Sequence, residues 1–306
     1  MSYALMMVEP RSNQNFKTII NSVENTIDSN WDFYIFTVKD SIDTIKSNIP
    51  KNSKRKYIFE IIPKEFMIKP TYVNYSKFLM NEYIWNKINA EHILLVQTDV
   101  GLCDHNSIKP SEFTQYPYIG CAYSYEQGSD NWWKDTYNDA FFYGVGGMSM
   151  RKKSFMLQCI QNMTKEDKKL PEDVFFSNCL GTAKPNVSKP SNKDMHKFCV
   201  ESDFSKKFFN GKPKTMGVHK PSLIYNNQHR KEIVEECPIA HNLIYPKKEH
   251  FGKLDKTSEI LCFVGYIIVW LLFTLFSYYK YSPKVSFLIF LIFSFVLATI
   301  LISRFS

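Results

Sequence analysis

The chain has 306 residues, 44% of them hydrophobic, 16% aromatic and 22% charged, a composition that excludes disorder and supplies apolar side chains for a large core. Its net charge is +8; four basic and one acidic residue in 256–306 account for +3, leaving a dispersed +5 elsewhere. That excess suits anionic lipid headgroups or a diphosphate ligand, and the lack of a concentrated basic stripe excludes a nucleic-acid-binding protein.

Tyr3 to Val8 reads as a buried strand, and after Glu9-Pro10-Arg11 the spacing of Phe16, Ile19, Ile20 and Val23 predicts a helix. Phe33 to Val38 and Tyr57 to Ile62 read as two more strands. Tyr75, Phe78, Leu79, Ile84, Trp85 and Ile88 make the apolar stripe of one helix leading into the strand Ile93-Leu94-Leu95-Val96. This alternation predicts a mostly parallel sheet with helices on both faces. The last strand runs into Gln97-Thr98-Asp99. In open α/β sheets ligands bind beyond the carboxyl ends of strands, so Asp99 is read as facing a substrate crevice. An aspartate in an ordinary turn has the same signature.

Further along, Trp132-Trp133 offers either a stacking platform for a sugar ring or a lid over the core. Tyr143 to Arg151 places Gly144, Gly146 and Gly147 beside Ser149 and Arg151 and reads as a glycine-rich turn opening a helix through Phe155, Leu157 and Ile160. Such glycines let backbone approach a ligand closely, and a helix N-terminus favours anions. Pro171-Glu172-Asp173 starts another helix, with Pro in the first turn and two acids favoured by the helix dipole; the functional alternative is a general base. Residues 182–194 read as a surface loop rich in Lys, Pro, Asn and Ser. In Gly217-Val218-His219-Lys220-Pro221, His219 suits a metal and Lys220 a phosphate, although the same residues also suit a plain turn.

Ile260 to Tyr279 and Val285 to Ser303 are nearly uncharged and each about long enough to span a bilayer. Only five residues separate them, which predicts a transmembrane helical hairpin in an anchor region, 251–306, following an α/β domain over 1–250. Two core helices are the alternative, and they would need a soluble partner to cover Trp270, Phe273, Phe287, Phe290 and Phe293. Lys247, Lys248, Lys253, Lys256 and Arg304 flank the hairpin, against Lys280 and Lys284 in its turn, which favours a cytosolic α/β domain. The N-terminus shows no secretory signal. Sequons at Asn74, Asn162 and Asn186 matter only in a lumenal domain and are expected to be unmodified. The seven cysteines lack a C-x-x-C pair and any regular spacing with histidine, so reduced thiols are expected, with neither a zinc site nor a disulfide framework.

Several segments, in order, resemble a poorly characterised glycosyltransferase-like family of microbes and large DNA viruses, related to the nucleotide-sugar transferases of the GT-A fold. They are Ala4 to Arg11, Asn30-Trp31-Asp32, Gln97-Thr98-Asp99, Tyr118-Ile119-Gly120, Gly146 to Arg151, Glu172 to Phe176 and Gly217 to Pro221. The resemblance covers most of 4–225. It implies a GT-A-like (Rossmann-like) domain and a nucleotide-sugar donor bordered by Glu9, Pro10 and Arg11, with Gly146, Gly147 and Arg151 in the same site. Asp99 is similar to the surviving carboxylate of an Asp-x-Asp site for Mn²⁺ or Mg²⁺, His219 to the late histidine that completes that site, and Lys220 to a lysine on the diphosphate. The pattern departs at Gln97 and Gly101, where a second acid would stand, leaving Asp99 alone unless Asp104 reaches in. Glu172-Asp173-Val174 is similar to the segment that supplies the acceptor base in inverting enzymes, with Asp173 as the base, whereas the His-Lys-Pro segment is similar to retaining enzymes. The stereochemistry stays open.

The leading expectation is a membrane-anchored glycosyltransferase acting on a lipid, glycan or protein acceptor and not on nucleic acid. A catalytically silent sugar- or nucleotide-binding membrane scaffold is the alternative, supported by the missing second acid. A metal-dependent hydrolase built on Asp99, Asp173 and His219 is a third reading, disfavoured because no tight ligand motif such as H-E-x-x-H occurs. The abundance of Lys, Asn and Ile fits an AT-rich genome of viral or protist origin.

Overall fold

The computed structural model describes residues 2–11, 15–66, 72–104, 108–123, 136–137, 140–201, 214–224 and 227–245. The chain divides into two units, Met1–Lys247 and Lys248–Ser306. The first half of the first unit runs β1 (Tyr3–Val8), α1 (Phe16–Thr26), β2 (Asp32–Thr37), α2 (Ile42–Ser47), β3 (Tyr57–Ile61), α3 (Tyr72–Leu79), α4 (Glu82–Lys87) and β4 (His92–Val96). There follow β5 (Val100–Leu102), β6 (Tyr118–Tyr123), β7 (Val145–Lys152), α5 (Lys153–Gln161), α6 (Glu172–Gly181), α7 (Asn192–Phe198), β8 (Cys199–Glu201), β9 (Gly217–His219), α8 (Asn227–Glu236) and α9 (Ala240–Ile244).

The strands form one sheet in the order β3-β2-β1-β4-β7-β6-β8-β9-β5. The four on the β3 side are parallel to one another, as are β6, β8 and β9. β7 runs antiparallel to both β4 and β6, and β5 antiparallel to β9. The sheet is therefore mostly parallel, as the strand–helix alternation predicts, with one antiparallel strand inserted near its middle. Both faces are covered. Leu5 and Met7 of β1 pack with Phe16, Ile19, Ile20 and Val23 of α1 on one side, and Ala4 and Met6 pack with Ile84, Trp85 and Phe176 on the other. Burial on both faces is why β1 and β4 read as unbroken apolar runs instead of alternating ones.

The structure corrects several sequence expectations. The stripe from Tyr75 to Ile88 is two helices, because Asn81 caps α4 by accepting from the Tyr83 N–H at 2.9 Å and Trp85 Nε1 donates to the Leu79 carbonyl at 2.9 Å. The glycine-rich run is an interior strand, β7, and the helix begins only at Lys153. Pro171 is the N-cap of α6 and not part of its first turn. The loop expected over 182–194 ends at Ser191, which caps α7 in a reciprocal box with Asp194.

The cysteines are corrected too. All six described ones are joined, Cys103 to Cys237, Cys121 to Cys199 and Cys159 to Cys179. Partners lie 134, 78 and 20 residues apart, separations that no local spacing rule reveals. The apolar runs 260–279 and 285–303 and the Trp132-Trp133 pair lie outside the described residues; among the described residues no helix is long and apolar enough to cross a membrane.

Candidate functional site

β1 and β4 are adjacent and parallel, so the residues following them emerge at the same edge of the sheet. After β1 comes Glu9, only 3% exposed, whose carboxylate accepts from the Arg11 backbone N–H at 3.0 Å and from its guanidinium at 2.9 and 3.1 Å. The same carboxylate accepts from the Thr98 hydroxyl at 3.1 Å. Glu9 thus clamps the two strand ends together and aims a largely exposed Arg11 over the edge.

Immediately beyond Asp99 the chain enters β5, whose register sets Val100 opposite His219 of β9. β8 lies parallel on the other side of β9 and sets Glu201 opposite the same histidine. His219 is fully buried, with Nδ1 2.8 Å from Glu201 Oε2, and Nε2 3.2 Å from Gln97 Oε1 and 3.4 Å from Asp99 Oδ1. Burial alone would lower the histidine's pKa, but the flanking carboxylates of Glu201 and Asp99 outweigh it and raise the value to about 9. His219 is therefore an imidazolium at neutral pH. Burial pushes the Asp99 carboxyl upward, yet His219 and Lys220 hold it below its ordinary range, and Glu201 is lowered for the same reason.

Lys220 has φ 49°, the left-handed region, and precedes Pro221. A non-glycine residue there costs about 1 kcal/mol or more and persists where the surroundings over-determine it. Two contacts do so: its N–H donates to the Asp99 carbonyl at 3.1 Å, and its ammonium lies 3.3 Å from Glu201 Oε1.

The third part of the site comes from β7 and α6. Arg151 is 0% exposed, enclosed by the rings of Trp85, Tyr118 and Phe176, with its guanidinium 2.8 and 3.0 Å from the Glu172 carboxylate and its Nε donating to Ser149 Oγ at 2.8 Å. Asp173 accepts from the Gly146 N–H at 3.2 Å and the Val174 N–H at 3.0 Å. Its burial, followed by the charge of Glu172, raises its pKa to about 7. The glycines serve side chains of the protein itself: a Cβ on Gly146 would meet the Glu172 carboxylate, and one on Gly147 would meet the His219 ring. The sequence reading assigned that closeness to a ligand.

These parts border one cavity of about 310 Å³, within the usual range for small-molecule sites. Of the residues singled out from sequence, it is lined by Glu9, Pro10, Arg11, Asp99, Gly146, Gly147, Glu172, Asp173, His219 and Lys220. Arg151 does not line it; its guanidinium is paired with Glu172, so it supports the site through that carboxylate. Asp104 is exposed and also outside the lining, so it does not supply the missing acid. An apolar wall of Ile62, Phe66 and Phe78, with Tyr75 and Asn74 beside it, went unrecognised in the sequence, where Ile62 reads as the end of a strand and Tyr75 and Phe78 as the apolar stripe of a helix. Glu201 was missed as well, since it carries no motif and only the β8–β9 register brings it to His219.

The fit of a divalent cation rests on three donors. Gln97 Oε1 and Asp99 Oδ1 lie 3.2 and 3.4 Å from His219 Nε2, so three atoms of a kind that binds Mn²⁺ or Mg²⁺ face one another. Among the described residues no three of His, Cys, Asp and Glu gather as a ligand set. The donors therefore suit a cation that takes the rest of its shell from a bound ligand, with His219 giving up its proton.

Fold and site together define an α/β protein with a mixed acidic and basic cavity at the carboxyl ends of parallel strands. Residues 56–219 match the family described as "Protein of unknown function (DUF5672)", and the chain belongs to that family. No curated protein matches it. Among solved structures it is similar to core-mannan synthase A of Aspergillus fumigatus in its Mn/GDP form, at 11% identity and a TM-score of 0.43 over 59% of this chain and 70% of that one. It is also similar to mouse xyloside xylosyltransferase 1 in its apo form, at 10% identity and a TM-score of 0.47 over 72% of this chain and 97% of that one.

Proposed function

We propose that the protein is a glycosyltransferase that moves a sugar from a nucleoside-diphosphate donor to an acceptor hydroxyl. The observation that carries the reading is the composition of this cavity: a buried carboxylate that titrates near neutrality, Asp173, shares it with a histidine–lysine cationic pair and the Asp99 carboxylate. Glycosyl transfer from such a donor needs both, since the acceptor loses a proton while negative charge builds on the departing diphosphate. Asp173, about half ionised at pH 7, accepts the acceptor's proton as its oxygen bonds to the anomeric carbon and the carbon–phosphate-oxygen bond breaks. Lys220 and Arg11 lie at the cavity to meet the diphosphate, with Glu201 and Glu9 holding their side chains. A Mn²⁺ or Mg²⁺ held by Asp99, His219 and Gln97 would neutralise that diphosphate further. The apolar wall of Ile62, Phe66 and Phe78 suits the face of a nucleobase. The two apolar C-terminal runs support reading it as membrane-anchored, with a lipid, glycan or protein as the acceptor.

The test is a panel of nucleotide sugars, with Mn²⁺ or with EDTA, followed by release of nucleoside diphosphate. Release from one donor, lost in Asp99→Ala and Asp173→Ala, is the expected result. Tight nucleotide binding with no release in the presence of any offered acceptor would favour the silent membrane scaffold.

A further inference from the structure

We infer that the α/β domain matures on the oxidising, lumenal side of a membrane, and that Asn162 and Asn186 are sites of N-linked glycosylation there. The first observation is the pairing of every described cysteine. Six thiols, from β6, α5, α6, β8 and the residues just after β5 and α8, meet in three pairs, each joining segments distant in sequence. Disulfides form and persist in oxidising compartments and are rare in the cytosol. Each link forms when two thiols pass two protons and two electrons to the disulfide of an oxidoreductase, which becomes a dithiol.

The second observation sorts the three sequons. Asn162 is exposed at the C-cap of α5 and is followed by an exposed Thr164. Asn186 is exposed in the connection between α6 and α7, followed by an exposed Ser188. Asn74 instead lies on α3, half-buried, lining the cavity, with Ser76 buried behind it. A bulky glycan fits the first two positions and would block the site at the third. At Asn162 and Asn186 the amide nitrogen bonds to the anomeric carbon of a lipid-diphosphate-linked oligosaccharide, losing one proton as the lipid diphosphate leaves. A hairpin anchor puts both flanks on one side, so its orientation decides the domain's side; five flanking basic residues against two favour the cytosol, and six paired thiols weigh the other way.

The experiment expresses the full chain in a eukaryotic cell and isolates its membranes. The unreduced protein is labelled with a mass-adding maleimide, and a second sample is treated with a peptide N-glycosidase. The expected result is at most one label, on Cys262, before reduction and labels on all the cysteines after it. The glycosidase shift should shrink by one glycan in Asn162→Gln, by one in Asn186→Gln, and not at all in Asn74→Gln. Labelling of the paired cysteines without reduction overturns the compartment, and a protein with paired thiols but no glycan, or with a glycan on Asn74, overturns the acceptor assignment. Neither readout depends on transferase activity.

Discussion

Replacing Asp173 by Asn should stabilise the protein at neutral pH while abolishing turnover. The carboxyl's ordinary value of 3.8 rises to about 7 in the fold, through burial and the charge of Glu172. Between those two values the folded state keeps a proton that the unfolded state has released. Stability therefore falls as pH rises from about 4 to about 7 and is level above that. At about 1.4 kcal/mol per unit, a rise of roughly three units amounts to about 4 kcal/mol across that window. An amide carries no charge at any pH and lacks this fall. Against the gain, the two carboxylate oxygens now serve the N–H groups of Gly146 and Val174, and an amide has one oxygen to offer. One lost hydrogen bond costs about 1 kcal/mol, leaving a net gain of about 3 kcal/mol near pH 7.5. Urea unfolding of wild type and Asp173→Asn between pH 4 and pH 8 measures the difference directly. Parallel pH profiles, or a variant less stable than wild type at pH 8, would refute the reasoning.

Three further outcomes are expected. Arg151→Met leaves Glu172 buried without its partner and should destabilise by about 3–5 kcal/mol, read from the urea midpoint, with Glu172→Gln added in the same chain restoring much of the loss. Gly147→Ala puts a methyl group against the His219 ring and should lower nucleoside diphosphate release about 100-fold, the scale of a displaced catalytic group; a rate within twofold of wild type would contradict the packing. Glu201→Gln should bring the His219 pKa down from about 9, seen by NMR titration of its ring. Because that folded value lies above the ordinary 6.5, His219 contributes stability present below about pH 6.5 and lost as pH rises through about 9, and the same variant should flatten this alkaline decline.

Much of the site was legible in the sequence because strand ends are where an open sheet exposes functional side chains. Glu9, Asp99, His219 and Lys220 end or follow strands and Asp173 opens a helix, and the fold gathers all five around one cavity. Roles were less legible than positions. Arg151 sits in a motif of small and polar residues that reads as a ligand turn, and only the packing of β7 against α6 shows that its charge is spent on Glu172. Gly146 and Gly147 read as room for a ligand and prove to be room for Glu172 and His219.

By itself the sequence determined the first three strands, the helix after the first of them, the strand that leads into Asp99 and the existence of two apolar runs at its end, since periodicity and turn residues act over a few positions. It determined the mostly parallel sheet to the extent that strands alternate with helices. Only the tertiary structure decided which cysteines meet, that Glu201 stands against His219, and that β7 enters the sheet antiparallel. Those facts depend on strand order and register over tens to more than a hundred residues, and long-range pairing leaves no mark in the spacing of neighbouring residues.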